Sequence, residues 1–238
     1  MSITRMPRAA IAAALSLLAG AALLLGPLGR ATADEPVVAI TEAPALHWGF
    51  KATWRNYGQN PEVSGGAETV DPTGAALGYD LAWAFDTGTY DPATATTHLE
   101  YLGSVRWKSH KASSDGVSPP PGWTGDPDPY LLDVTFSDPQ VTISREESVV
   151  TAVVSSRDLA TWEVTNYGRV PMVNLDVLGV TPTVADGTTA WSDIIAAVTQ
   201  VGTEAMGGFY RAGQVVDPVS FSYTGPGGAP DFSEEMAA

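Results

Sequence analysis

Two side chains able to do proton and metal chemistry close two strand-like runs of this sequence. Tyr57 ends the run Leu46–Tyr57, and His110 ends the run Tyr101–His110. In the first run Leu46, Trp48, Phe50, Ala52 and Trp54 share one parity; His47, Lys51, Thr53 and Arg55 share the other. In the second, Tyr101, Val105 and Trp107 share the apolar parity, and Arg106, Lys108 and His110 the polar one. A period of two marks a strand with one buried face, so both rings fall in the outward phase. A phenolate oxygen is a hard anionic ligand for ferric iron, but a free phenol titrates near pH ~10 and needs help to ionise. A neutral imidazole gives that help by taking the proton or by donating to the phenolate. Each ring also opens a long polar loop, 56–78 after Tyr57 and 112–129 after His110. The spacing predicts that the two rings meet at the mouth of one cleft walled by those loops.

The elements that must hold the rings read as strands. The first runs from about Leu46 to Arg55. Tyr79–Phe85, Leu99–Lys108, Tyr130–Ser144, Ser148–Ser155, Trp162–Tyr167, Val170–Val180 and Val215–Tyr223 follow, separated by turn signals such as Asp186-Gly187. Pro119–Gly122 and Asp126–Pro129 make the 112–129 loop unsuitable for strand or helix. One segment changes period: Trp191, Ile194, Ile195, Val198 and Val201 fall at i, i+3, i+4, i+7 and i+10, predicting a late helix over about 188–206 that ends at Gly207-Gly208. The expected class is mainly β: an antiparallel twisted sheet, sandwich or half-barrel with that one late helix.

Residues 1–33 read as a cleaved signal peptide. Arg5 and Arg8 form the basic region, Ala9–Leu25 is apolar and uncharged, and Ala31-Thr32-Ala33 is the small-x-small cleavage signal. The expected mature chain is Asp34–Ala238, 205 residues. Residues 34–45 read as a flexible lead-in, 46–224 as one domain, and 225–238 as a disordered acidic tail. Removing the leader leaves nine basic against 27 acidic residues, a balance of −18. Such a surface repels nucleic acid and anionic lipid, and no apolar span remains for stable membrane insertion. There is no Cys, so no disulfide framework supports the fold.

Motifs for catalysis are missing. The chain has no Gly-x-Ser-x-Gly elbow, no His-Glu-x-x-His helix and no phosphate-cradling Gly loop, and its three His are scattered. The expectation is a binding protein, not an enzyme. Haem iron accepts Tyr as an axial ligand, and many aromatic side chains could enclose a flat apolar macrocycle.

Five pieces, in order, resemble the haem-transport-associated (HtaA-type) domain family of surface and secreted haem-binding proteins of Gram-positive bacteria. They are Trp48–Lys51 with Trp54–Tyr57, Tyr101–His110, Asp133–Ile143, Val150–Ser156 and Gly207–Phe221. The resemblance implies that Tyr57 is the axial ligand of ferric haem, that His110 is its hydrogen-bond partner, and that Tyr210 has a supporting role. It also implies haem acquisition or transport, with delivery to a membrane-anchored receptor or transporter. Two places depart from the family pattern: Gly58 follows Tyr57 where a β-branched residue is expected, and Lys108-Ser109 precede His110 where a Gly is commoner. A single copy with no recognisable anchor points to a free carrier. Arg55, Arg106, Lys108 and Lys111 cluster around the two rings in sequence, where they could attract haem propionates or simply solvate a strand face.

Two other readings compete. A secreted carbohydrate- or wall-binding β module would use exposed Trp platforms such as Trp123. A secreted hydrolase would need a facing pair of carboxylates.

Overall fold

A computed structural model of the chain describes residues 35–58, 61–69 and 81–233. The expected signal peptide, residues 79–80 of the expected Tyr79–Phe85 strand and the last five residues lie outside that range. Strands make up 51% of the structure and helices 7%, in one antiparallel sheet curled into a half-barrel. The strands are β1 (Val38–Ile40), β2 (Leu46–His47), β3 (Glu62–Ser64), β4 (Ala67–Thr69), β5 (Leu81–Asp91), β6 (Thr96–Leu102), β7 (Ser104–Lys111), β8 (Tyr130–Ile143), β9 (Val149–Arg157), β10 (Val164–Asp176), β11 (Thr183–Ala185), β12 (Thr188–Val198) and β13 (Val219–Thr224). Among the described residues two short helices accompany it: α1 (Ala52–Tyr57) and α2 (Gln200–Ala205). The main strand order is β1-β5-β6-β8-β9-β10-β12-β11; β7 continues beside β8, and β13 pairs with β12.

The alternating residues face a core rich in aromatics. Trp83, Trp107, Phe136, Val134, Val154 and Ala152 are buried on the inner face, and β8 and β9 are buried at nearly every second position. Six of the seven Trp belong to the core, which compensates for the lack of disulfides by apolar burial.

The expected Leu99–Lys108 strand is present with a kink. β6 and β7 both pair with β8, but the register slips by one residue between Glu100↔Gln140 and Ser104↔Ser137. Gly103 sits in this bulge at φ +123°. It is clamped reciprocally: its N–H donates to Asp138 Oδ1 at 2.9 Å, and the Asp138 N–H donates to its carbonyl at 2.8 Å. A Cβ there would lie 2.2 Å from the Ala67 backbone nitrogen. Gly103→Ala should therefore cost about 2–4 kcal/mol, since it combines a strained φ with a backbone clash. Urea unfolding of the variant checks this, and an unchanged midpoint would refute the account.

Three expectations need correction. The first strand does not run to Arg55. Only Leu46 and His47 pair, with Trp83 and Ala82 of β5; Phe50 then takes φ +66°, and residues 52–57 wind into α1. The apolar alternation is real, because Leu46, Trp48, Phe50 and Trp54 are all buried, but tertiary packing and not pairing satisfies it. The late helix exists but is confined to Gln200–Ala205, and 188–198 is strand β12. A bulge explains the false period. The β12–β13 register shifts between Trp191 and Ile194, with Asp193 at φ +53°, so two inward residues stand three apart as they would on a helix. Ile195, counted in the helical stripe, is 53% exposed. Finally, the lead-in carries β1, paired with β5, and the described start of the tail packs Ala229 and Phe232 against the core.

Candidate functional site

α1 carries Tyr57, and a buried cation holds α1 in place. Arg55 Nη1 donates to Asp217 Oδ2 at 2.7 Å and to the Gly49 carbonyl at 3.2 Å. Asp217 is fixed in turn: its N–H donates to the Phe50 carbonyl at 3.0 Å, and its carbonyl accepts from Trp48 Nε1 at 3.1 Å. Gly49 is required because a Cβ there would lie 2.4 Å from Arg55 Cδ. The Trp54 ring meets Trp107 edge-on at 5.8 Å, seating the helix on the sheet. The chain leaves α1 at Gly58, where a Cβ would come within 2.7 Å of the Trp107 ring. The departure from the family pattern at Gly58 thus has a local cause: the indole occupies the space a side chain would need.

The second wall comes from the end of α2. Thr199 caps that helix by accepting from the Gly202 N–H at 2.8 Å. Gly207 and Gly208, at φ +65° and +78°, then turn the chain so that Phe209 and Tyr210 face α1. Phe209 lies 5.7 Å from Trp54 and 6.4 Å from Tyr57 between ring centroids. Tyr210 packs edge-on to Phe50 at 5.1 Å and is 8% exposed. Burial pushes its phenol above the ordinary range, opposed by a hydrogen bond with Thr53 and assisted by the charge of Asp217. Thr53, Trp54, Tyr57, Phe209 and Tyr210 line an open cleft of about 290 Å³.

The structure brings Tyr57 and His110 together. The phenol oxygen and His110 Nε2 share a hydrogen bond, and the rings stack with centroids 5.1 Å apart and planes 29° from parallel. Tyr57 is 47% exposed and Phe209 45%, so an apolar wall and a phenol face outward side by side. Tyr210 stands at the same cleft. Its hydroxyl reaches Thr53, one helical turn before Tyr57. His110 itself takes φ +59°, a left-handed conformation at the end of β7.

Sequence reasoning missed two participants. Thr53 was assigned to a strand face; its spacing of four from Tyr57 was the available signal for a shared helix side. Asp115 was hidden in the 112–129 loop, where its Oδ2 lies 2.9 Å from His110 Nδ1, within hydrogen-bond distance. The basic cluster takes part in ion pairs. Each of its members is paired with an acid: Arg55 with Asp217, Arg106 with Asp133 at 2.8 Å, Lys108 with Glu62, and Lys111 with Asp128 at 3.6 Å. These cations hold the fold and the loops together. Arg55 is the buried member of the cluster, whereas Arg106 and Lys111 keep part of their side chains exposed.

The arrangement can present one oxygen ligand to a metal, help it shed its proton, and cover an adjacent apolar plane with aromatic rings. Among the described residues no group of three or more His, Asp or Glu is placed to hold a bare metal ion.

The HtaA family, described as Htaa, matches residues 43–222. The C-terminal domain of HtaA from Corynebacterium glutamicum superposes with a TM-score of 0.58 at 22% identity, covering 78% of this chain and 98% of that domain. The heme binding protein HtaB from the same organism superposes with a TM-score of 0.53 at 20% identity, covering 79% and 96%. At these identities the likeness is one of fold. No curated protein matches at a significant level.

Proposed function

The chain belongs to the HtaA family, and from this membership together with the ring pair we propose that it is a haem-binding protein that takes part in haem acquisition or transport. Tyr57 is the axial ligand of ferric haem, and His110 is its hydrogen-bond partner. The observation that carries this reading is the Tyr57–His110 contact beside the aromatic cleft. The residues fit the group. An exposed phenol oxygen supplies a hard donor, Nε2 is within reach of its proton, and the exposed Phe209 ring, backed by buried Trp54, offers flat apolar surface for a macrocycle. The bound iron supplies the Lewis acidity that favours phenolate over phenol. His110 then holds the displaced proton at Nε2, and Thr53 and Tyr210 supply hydroxyls at the cleft wall. No bond of the ligand is made or broken, so the site binds without catalysing.

The leader-like sequence of residues 1–33 supports secretion, and among the described residues no helix is long and apolar enough to cross a membrane. A membrane-anchored receptor or transporter of the same bacterium is the proposed recipient of the haem. The wall-binding alternative gains little from the structure. Of the seven Trp only Trp123 escapes full burial, and it is tied down by Trp162 at 6.1 Å and by its Nε1 donating to the Asp126 carbonyl at 2.8 Å.

The test is a titration of ferric haem into the purified secreted chain, followed by visible absorption. A phenolate-to-iron charge-transfer band saturating at one haem per chain is expected. A spectrum of free haem throughout would remove the proposal.

A further inference from the structure

The lining of the cleft comes from α1 and from Phe209 and Tyr210, and the 112–129 loop meets the site elsewhere, at His110. His110 Nδ1 lies 2.9 Å from Asp115 Oδ2, so the imidazole is held from both sides, by the phenol at Nε2 and by a carboxylate at Nδ1. We propose that Asp115 is the positioning residue of the site: it fixes His110 as the Nδ1–H tautomer, with the Nε2 lone pair aimed at the Tyr57 hydroxyl. This rests on the reading of Tyr57 and His110 given above and extends it to a residue outside the family resemblance.

The reasoning is one of donors and acceptors. An ionised carboxylate can only accept, so the Nδ1 facing it must carry hydrogen. In the neutral ring the other nitrogen is then a bare acceptor, which is the state needed to receive a phenol proton. Free imidazole side chains favour the opposite tautomer, with hydrogen on Nε2. That tautomer would make Nε2 the donor to the Tyr57 oxygen and leave no ring nitrogen at the contact to take the phenol proton. An outer carboxylate that orients an imidazole is a recurring device for tuning metal ligands.

Asp115 is held for the task. Its N–H donates to the Lys111 carbonyl at 3.1 Å, and the Gly116 and Val117 N–H groups donate back to Ser113 and Ala112 at 3.3 and 3.0 Å. This is a tight turn directly after the strand end. The far end of the loop is fastened to the near end: the Ala112 N–H donates to the Pro129 carbonyl at 3.1 Å, and the Ser113 N–H to Asp128 Oδ1 at 2.8 Å. His110 sits at φ +59°, a conformation that costs backbone energy in a non-Gly residue. Two hydrogen bonds to its ring help offset that cost and keep the imidazole from swinging away.

The experiment uses the apo chain, in which haem plays no part, and then the haem-loaded chain. Imidazole ¹⁵N shifts of apo wild type should show Nδ1 protonated and Nε2 bare. In Asp115→Ala the ring should shift toward the Nε2–H tautomer, while amide shifts outside residues 108–130 stay unchanged. Ferric haem affinity should fall about threefold to tenfold in Asp115→Ala, with Asp115→Asn between it and wild type. The double variant with His110→Ala should bind no more weakly than His110→Ala alone, because Asp115 acts through the imidazole. An apo wild-type ring protonated at Nε2 and bare at Nδ1 would overturn the proposal, and so would additive losses in the double variant. If wild type fails to bind haem, the function proposed above fails, and the apo tautomer still decides whether Asp115 sets the ring.

Discussion

Tyr57→Ala should abolish the charge-transfer band and weaken ferric haem binding by more than about a hundredfold, or ~2.7 kcal/mol. The residue carries the exposed phenol of the cleft, and the other phenol of its lining, Tyr210, is ill placed to stand in for it. Tyr210 is buried and turned toward Thr53, and burial holds its phenol in the protonated form. The fold should survive the change, because a ring that is 47% exposed contributes little to the core. A thermal melt separates the two effects. His110→Ala should be milder, at about tenfold, because a partner tunes a ligand without replacing it. Equal losses in the two variants, or a larger loss at His110, would reverse the roles given to them.

Asp133→Ala should be the most damaging change away from the cleft, costing about 3–5 kcal/mol. Asp133 lies on β8 with its carboxylate between two guanidiniums, Arg106 Nε at 2.8 Å and Arg157 Nη2 at 3.1 Å. Arg157 is 12% exposed at its side chain, so removing the carboxylate strands a cation with little water to replace it. In a domain of this size the melting temperature should fall by roughly 10 °C. A drop of one or two degrees would mean that the pair is solvated. The same pair predicts a pH effect. Burial raises the Asp133 carboxyl, but the hydrogen bonds and charges of Arg106 and Arg157 together outweigh it and hold the group below its ordinary value. The folded state therefore binds this proton less readily than the unfolded state. The stabilisation is complete above the ordinary carboxyl value near ~3.9 and disappears as pH falls through the lower folded value. Acid unfolding of wild type should steepen in that window, and Asp133→Asn should flatten it.

Both predictions concern residues that the sequence treats differently. Tyr57 and His110 stand out by parity and by their place at the mouths of loops. Asp133 is one of 27 acids, and nothing in the linear order says that Arg106 and Arg157 converge on it. The contrast follows from range. Alternation is a local signal, written over six to ten residues, and it survives even where the backbone does something else. Leu46, Trp48, Phe50 and Trp54 are buried as their parity demands, although the chain winds into α1. Ion pairs between strands depend on register, and register is set by bulges such as those at Gly103 and at Trp191–Ile194. A bulge adds one residue and moves every later side chain by a phase, so a short-window reading mistook β12 for a helix.

The sequence by itself determined the mainly β character and the aromatic core, because each is fixed by side-chain type at a spacing of two, and it singled out the two rings on which the proposed haem site rests. Only the tertiary structure decided that Tyr57 stands on a helix, that Arg55 is locked to Asp217 and not open to a ligand, and that Asp115 backs His110. Those facts come from contacts between segments far apart in the chain or inside an irregular loop. There no periodic pattern exists to read, and packing alone selects the partner.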